Sequence, residues 1–281
     1  MFDLNALMAR AHELAPLPPS TVTLVEMSAN PDCHLDDIAD LVEFDQALTI
    51  RLLRAANSAF SASAVPVVTV REAVARMGTQ QVLDLAIAAG VRSFLQARVP
   101  AYGLDEGALW RHSVAAAVSA ESVNKFCGVP VPRESFTAGL LHDVGKLVMG
   151  RYLGPEILES IRRAQEVDHL EPMAAERKLL NVHHGELGGL IAQHWRLPSR
   201  IVQGITHHHT PEEGRDVICD VTYLANLVAK RVEAGLVGKT VDTSVNPSVI
   251  QRLKLPEDAF DHLCPAASVR FVQVSRRYTA L

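Results

Sequence analysis

Between Leu140 and Lys146 the chain reads LLHDVGK, which places an imidazole and a carboxyl side by side inside an apolar run. A run this apolar belongs in a core, and an unpaired ionisable group buried there costs roughly several kcal/mol. Side chains from elsewhere must therefore converge on His142 and Asp143. Two arrangements meet that demand. One is a metal ion held by further His and carboxylate donors; the other is a closed hydrogen-bond network that only ties helices together.

Composition narrows the fold that surrounds this stretch. Apolar residues make up 48% of the 281 positions and aromatics only 5%, so the core is built from Leu, Val, Ile and Ala. Such cores suit packed helices better than sheets, which favour β-branched and aromatic residues. The formal net charge of -5 gives no broad basic field, which argues against nucleic acid as a partner but leaves room for a local phosphate pocket. Cys33, Cys127, Cys219 and Cys264 form no C-x-x-C pair, as expected of free thiols in a reducing compartment. The opening MFDLNALMARAHEL is amphipathic and acidic, unlike a signal peptide, and no apolar run is long enough to cross a bilayer. A cytoplasmic protein with no membrane partner is the expectation.

The apolar period is helical throughout. Leu4, Leu7, Met8, Ala11 and Leu14 share one face, and further helices follow from Pro18-Pro19, from Asp32 as a cap, and from Asp45 as a cap. Asp36, Asp37 and Asp40 line what reads as a solvated face. Thr69-x-x-Glu72 has the capping-box pattern, its helix stops at Gly78, and Thr79 opens a longer one. Beyond Val99-Pro100 come a helix bearing His112, one from Phe136 to Tyr152, then 155–168, 171–180, one from about His183, one from Pro198, and one from Asp216. From Gly235 the pattern weakens, and Asn246-Pro247 and Leu255-Pro256 cut it into short pieces. The expected fold is all-α in two helical lobes, residues 1–98 and 99–235, with a helical tail over 236–281.

Most of the twelve histidines lie in the second half. His112, His142-Asp143, His184 and His208-His209 fall on four different predicted helices. Imidazole and carboxylate donors on facing helices are how helical cores hold transition metals. His207 and His183 are expected to face away from their neighbours, and His12, His34, His169, His194 and His262 to be surface or packing residues.

The phrases LWRHS (109–113), LLHDVGKL (140–147), HGELGGLIAQHWRLP (184–198) and HHHTP (207–211) together resemble the HDOD domain, the HD-related output domain of bacterial signalling proteins. LAPLPPS (14–20), the segment 38–60 and the segment 70–87 resemble its first half, so the likeness spans roughly residues 12–235. It implies an all-helical relative of the HD phosphohydrolases whose second lobe is an HD-like bundle, in a family known mainly as signalling modules. It also implies metal ligands at His112, His142, Asp143, His184, His208 and His209, and a phosphate-facing role for Lys146 beside Asp143 if the site is active.

Two departures accompany the resemblance. The closing carboxylate of the HD pattern falls on Asn226, a neutral and poorer ligand for transition metals. Asp220, six residues away, lies on a different helix face. The GYP signature of the cyclic dinucleotide phosphodiesterases is missing after HHHTP. The expectation is a signalling module, non-catalytic or with a degenerate metal site, that binds signalling proteins or a small phosphorylated ligand. The alternative is a metal-dependent phosphohydrolase. Imidazole and carboxylate donors suit divalent iron, manganese, nickel or zinc alike.

Overall fold

A computed structural model describes residue 9 and residues 14–59, 66–239, 241, 243–256 and 258–280. These are mostly helical, and their only strand-like feature is an isolated bridge between Val99 and Leu104. His12 and most of the helix expected over Leu4–Leu14 lie outside the described residues.

The first lobe contains α1 (Pro19–Ala29), α2 (Leu35–Glu43), α3 (Gln46–Ala59), α4 (Val70–Met77) and α5 (Thr79–Leu95). Local chemistry sets their ends. Asp45 accepts from the Leu48 N–H at 3.0 Å, and Thr69 Oγ1 accepts from the Glu72 N–H at 3.1 Å. Gly78, at φ +85°, turns the chain between α4 and α5. One expectation needs correction. His34, not Asp32, caps α2, its N–H held by the Asp37 carboxylate at 3.3 Å. Asp36, Asp37 and Asp40 do line an exposed face, on which Asp36 and Asp40 also pair with Arg71 of α4.

The second lobe follows a short 3-10 turn at Pro100–Tyr102. It comprises α6 (Ala108–Val123), α7 (Ser135–Leu141), α8 (Gly145–Tyr152), α9 (Pro155–Glu166), α10 (Pro172–Leu180), α11 (His184–His194), α12 (Ser199–Thr206) and α13 (Val217–Leu236). The single helix expected over Phe136–Tyr152 is in fact two. At residues 142–144 the backbone stays right-handed, but its hydrogen bonds tighten to Val144 N–H to Leu141 O and Lys146 N–H to Asp143 O, both 3.0 Å. The cause is local. His142 Nδ1 donates to the Gly139 carbonyl at 2.7 Å, taking the acceptor that the Asp143 N–H would use in a continuous helix.

The tail also differs from expectation. After α14 (Pro247–Leu253), residues Ala259–Ala280 form one 22-residue helix, α15, with Pro265 inside it. It packs against α3 of the first lobe and against α6 and α13 of the second. Among its described residues it buries Ala259, Leu263, Cys264, Ala267 and Phe271, and that burial outweighs the single proline. All four cysteines are free thiols.

Gly145, the first residue of α8, lets the N-terminus of α11 approach. A Cβ there would collide with the backbone carbonyl of His184. Gly145→Ala should therefore cost about 1–3 kcal/mol of unfolding free energy by denaturant titration. Gly235→Ala, in open space inside α13, should instead gain about 0.4–1 kcal/mol. Equal effects at the two positions would contradict the close α8–α11 approach.

Candidate metal centre

The tight turn after α7 delivers His142 and Asp143 into the middle of the second lobe, where their side chains are at most 1% exposed. Around Asp143 stand four imidazoles from four other points of the chain or its own turn. Oδ2 lies 3.4 Å from His142 Nε2 and 3.6 Å from His112 Nε2. Oδ1 lies 3.3 Å from His184 Nε2 and 3.8 Å from His208 Nε2. His209 joins the second side, its Nε2 at 3.0 Å from that of His184. The donors thus form two groups, His112–His142–Asp143 and His184–His208–His209, each with its ligand atoms within 4.8 Å of one another. Asp143 presents one oxygen to each.

Each ring around Asp143 is aimed by an oxygen on its far nitrogen. Nδ1 donates to Glu233 at 2.8 Å in His112, to the Gly139 carbonyl at 2.7 Å in His142, to Glu176 at 2.7 Å in His184, and to the Ile205 carbonyl at 2.7 Å in His208. In a neutral ring that pattern puts the proton on Nδ1 and leaves an Nε2 lone pair pointing inward, as in metal-bound histidines; it is clearest at His142 and His208, whereas His112 Nε2 also faces Asn226 Oδ1 and His184 Nε2 faces Asp143. Three of the inward atoms, His142 Nε2, His208 Nε2 and Asp143 Oδ1, are buried without a hydrogen-bond partner. Orphaned buried atoms are uncommon and call for an explanation. A cation between them supplies one, so the residues present fit a metal ion.

The electrostatics favour neutral rings at His142, His208 and His209 and a charged carboxylate at Asp143, with His184 the exception. Burial lowers the pKa of His142, and burial with the neighbouring imidazoles holds His208 and His209 well below the usual range. For His184 burial is outweighed by Glu176 and by its hydrogen bond to Asp143, and its pKa is raised. Burial opposes ionisation of Asp143, yet Lys146 and His142 keep it well below an ordinary carboxyl. Lys146 Nζ donates to Asp143 Oδ2 at 2.6 Å.

All six expected ligand positions and Lys146 come together. Asn226 stands where the closing carboxylate was expected, its Oδ1 3.2 Å from His112 Nε2. Asp220 is engaged elsewhere, in a two-pronged pair with Arg252 of α14 at 2.6–3.1 Å. His183, expected to face away from His184, is buried and caps α11, accepting from the Gly185 N–H at 3.1 Å. His207 belongs to neither donor group.

Four residues of the site were not anticipated. Glu176 is fully buried and accepts from both the His184 ring and its backbone N–H, while Tyr102 O–H donates to its other oxygen at 2.7 Å. Glu233 and Lys230 follow Asn226 at helical spacing on α13, a signal that could have found them. Tyr102, on the 3-10 turn, has no such signal. Lys230 is half-buried, and burial and Lys146 lower its pKa, with Asp143 opposing. Lys230 and Lys146 thus give the metal centre a positive side.

In the metal-free protein, groups with depressed imidazole pKa values lose stability as the pH falls through the unfolded value of about 6.5. His142, His208 and His209 act in that direction and His184 in the other, so the balance is loss. The Tm of chelator-treated protein should fall between pH 7.5 and 5.5, and bound metal should be released over the same range because ligation needs neutral imidazole. A flat Tm profile would contradict buried, neutral rings.

Comparison with known proteins identifies the family and the fold. The sequence profile described as the HDOD domain matches residues 14–211. A protein of Treponema pallidum (strain Nichols) is 28% identical over 226 residues, covering 79% of this chain; the chain spans only 43% of that relative's length. A candidate phosphohydrolase of Shewanella amazonensis SB2B superposes with a TM-score of 0.73 at 24% identity, over 98% of both chains. A candidate signal transduction protein of Marinobacter aquaeolei VT8 gives 0.74 at 23% identity, over 95% of this chain and 60% of that one. At these identities the two structures speak for the fold alone. With the profile covering most of its length, the chain belongs to the HDOD domain family.

Proposed function

We propose that this protein is a signalling module whose HD-type centre holds divalent transition metal and uses it to bind a small phosphorylated ligand. The observation that carries the proposal is the set of inward-facing, partnerless atoms His142 Nε2, His208 Nε2 and Asp143 Oδ1, in a site whose rings are already aimed by their far nitrogens. His112, His142 and Asp143 would hold one ion, and His184, His208 and His209 with the second Asp143 oxygen would hold another. Iron, manganese, nickel and zinc all suit these donors. Bound there, such an ion supplies positive charge for a phosphoryl oxygen and an acidified water.

The chain's own residues shape the rest of the interaction. Lys146 is tethered by Asp143 and lies 5.6 Å from the Tyr102 ring centroid, a position from which its ammonium can meet an anionic oxygen. Lys230 adds a second ammonium. Glu176 and Glu233 hold His184 and His112 in place. Ligand recognition is favoured over turnover because Asn226 brings a neutral amide where a carboxylate would add charge, and that amide sits against the His112 nitrogen otherwise free to ligate. The second possibility, phosphoester hydrolysis, draws on the intact His112, His142, Asp143 and Lys146. The candidate phosphohydrolase and candidate signal transduction protein of the same fold stand on either side of this choice.

Elemental analysis of protein purified without chelator should find at least one equivalent of transition metal, and His142→Ala should lose most of it. Metal-free wild-type protein prepared in the presence of these ions would overturn the proposal. Metal-loaded protein should bind inorganic phosphate in calorimetry, and Lys146→Ala should weaken that binding by about tenfold or more. Metal-dependent hydrolysis of generic phosphomonoester or phosphodiester substrates, abolished by His142→Ala, would decide for the enzyme.

A further inference from the structure

His112 is gripped at both ring nitrogens by one helix. Glu233 of α13 holds Nδ1 at 2.8 Å, and Asn226, on the same face of α13, sets its Oδ1 3.2 Å from Nε2. An imidazole engaged at both nitrogens offers no lone pair to an ion. An amide can hold Nε2 whichever partner supplies the hydrogen, because its oxygen accepts and its NH2 group donates. Asn226 is 3% exposed, so an amide pushed off His112 loses a hydrogen bond in the core, where that loss is costly.

The donors around His112 are not equally engaged. Lys146 Nζ already holds Asp143 Oδ2, at 2.6 Å. His142 Nε2, His208 Nε2 and Asp143 Oδ1 are without a hydrogen-bond partner, and the His142 and His208 rings pack edge to face with centroids 4.9 Å apart. An ion that takes those three atoms breaks no hydrogen bond. An ion beside His112 has to displace the Asn226 amide and share Asp143 Oδ2 with an ammonium.

We propose that Asn226 caps His112 and so makes the two ion positions of the centre unequal: the first ion settles on the unengaged donors His142 Nε2, His208 Nε2 and Asp143 Oδ1, and a second enters beside His112 only when the amide gives way. This inference rests on the metal-binding reading of the centre. It assigns Asn226 more than the lack of a negative charge, because the amide occupies the nitrogen that a ligand set needs. The two effects separate on removal of the side chain. If only a carboxylate is missing, Asn226→Ala gains nothing; if a cap is present, Asn226→Ala frees His112 although it supplies no ligand.

Full-length protein stripped with chelator and reloaded with Mn²⁺ provides the test, with calorimetry for affinity and electron paramagnetic resonance for two ions lying side by side. Wild type should take one equivalent tightly and a second at least about tenfold more weakly. Asn226→Ala and Asn226→Ser, neither of which reaches His112 or brings a charge, should each tighten the second equivalent by about tenfold and leave the first within about threefold. At the same Mn²⁺ concentration both variants should show an exchange-coupled signal that wild type lacks, a signature that a merely structural role for Asn226 would not produce. Adding His112→Ala to Asn226→Ala should abolish the gain. Two equal equivalents in wild type would overturn the proposal. So would a gain confined to Asn226→Asp, since the absent carboxylate is then the whole cause. Binding of no Mn²⁺ by wild type or any variant is a different failure, which removes the metal-binding reading and this inference with it.

Discussion

A single buried carboxylate organises the second lobe. Asp143 sits at 1% exposure with imidazole nitrogens 3.3–3.8 Å from its two oxygens and one ammonium at 2.6 Å. Burying that charge is unfavourable unless it is closely compensated. Lys146 compensates part of it from the same turn. The rest falls to the rings around it: burial favours neutral His142 and His208 with their Nε2 lone pairs turned inward, while Glu176 and Asp143 favour the charged form of His184. Lone pairs facing an anion repel; lone pairs and an anion facing a cation do not. For His142 and His208 the partnerless inward nitrogens suit a ligand set.

That requirement reaches well beyond the site. The α7–α8 helix gives up its regular hydrogen bonding at residues 142–144 so that His142 can be tied to Gly139. Gly145 leaves out a side chain so that His184 can approach. Glu176 is buried completely to aim His184, and is itself satisfied by Tyr102 from the 3-10 turn that joins the lobes. α13 supplies Asn226, Lys230 and Glu233 from one face, with α15 packed across it and reaching the first lobe. The tail thus supports the helix that closes the metal centre.

Much of this was legible in the sequence because the constraint is local in chain and severe in energy. His142-Asp143 in an apolar run demanded partners, and histidines on four segments offered them. Helix starts at Asp45, Thr69 and Asp216 carried their own capping chemistry. What escaped notice depended on distant geometry. Nothing near Glu176 marks it as a partner of His184, and no local pattern predicts that an imidazole will take a backbone carbonyl and split a helix. Arg71 joins Asp36 and Asp40 from a different helix, so the solvated acidic face carried no sign of that pairing. The long α15 was hidden by Pro265, whose cost is outweighed by burial that only the folded chain reveals.

The central claim is that the imidazoles of His112, His142, His184 and His208 converge as ligands. X-ray absorption spectroscopy at the metal edge of the protein as purified measures this directly. It should show nitrogen and oxygen scatterers at about 2.0–2.2 Å, with the multiple-scattering signature of more than one imidazole. An oxygen-only shell, or a spectrum unchanged in His142→Ala, would contradict it.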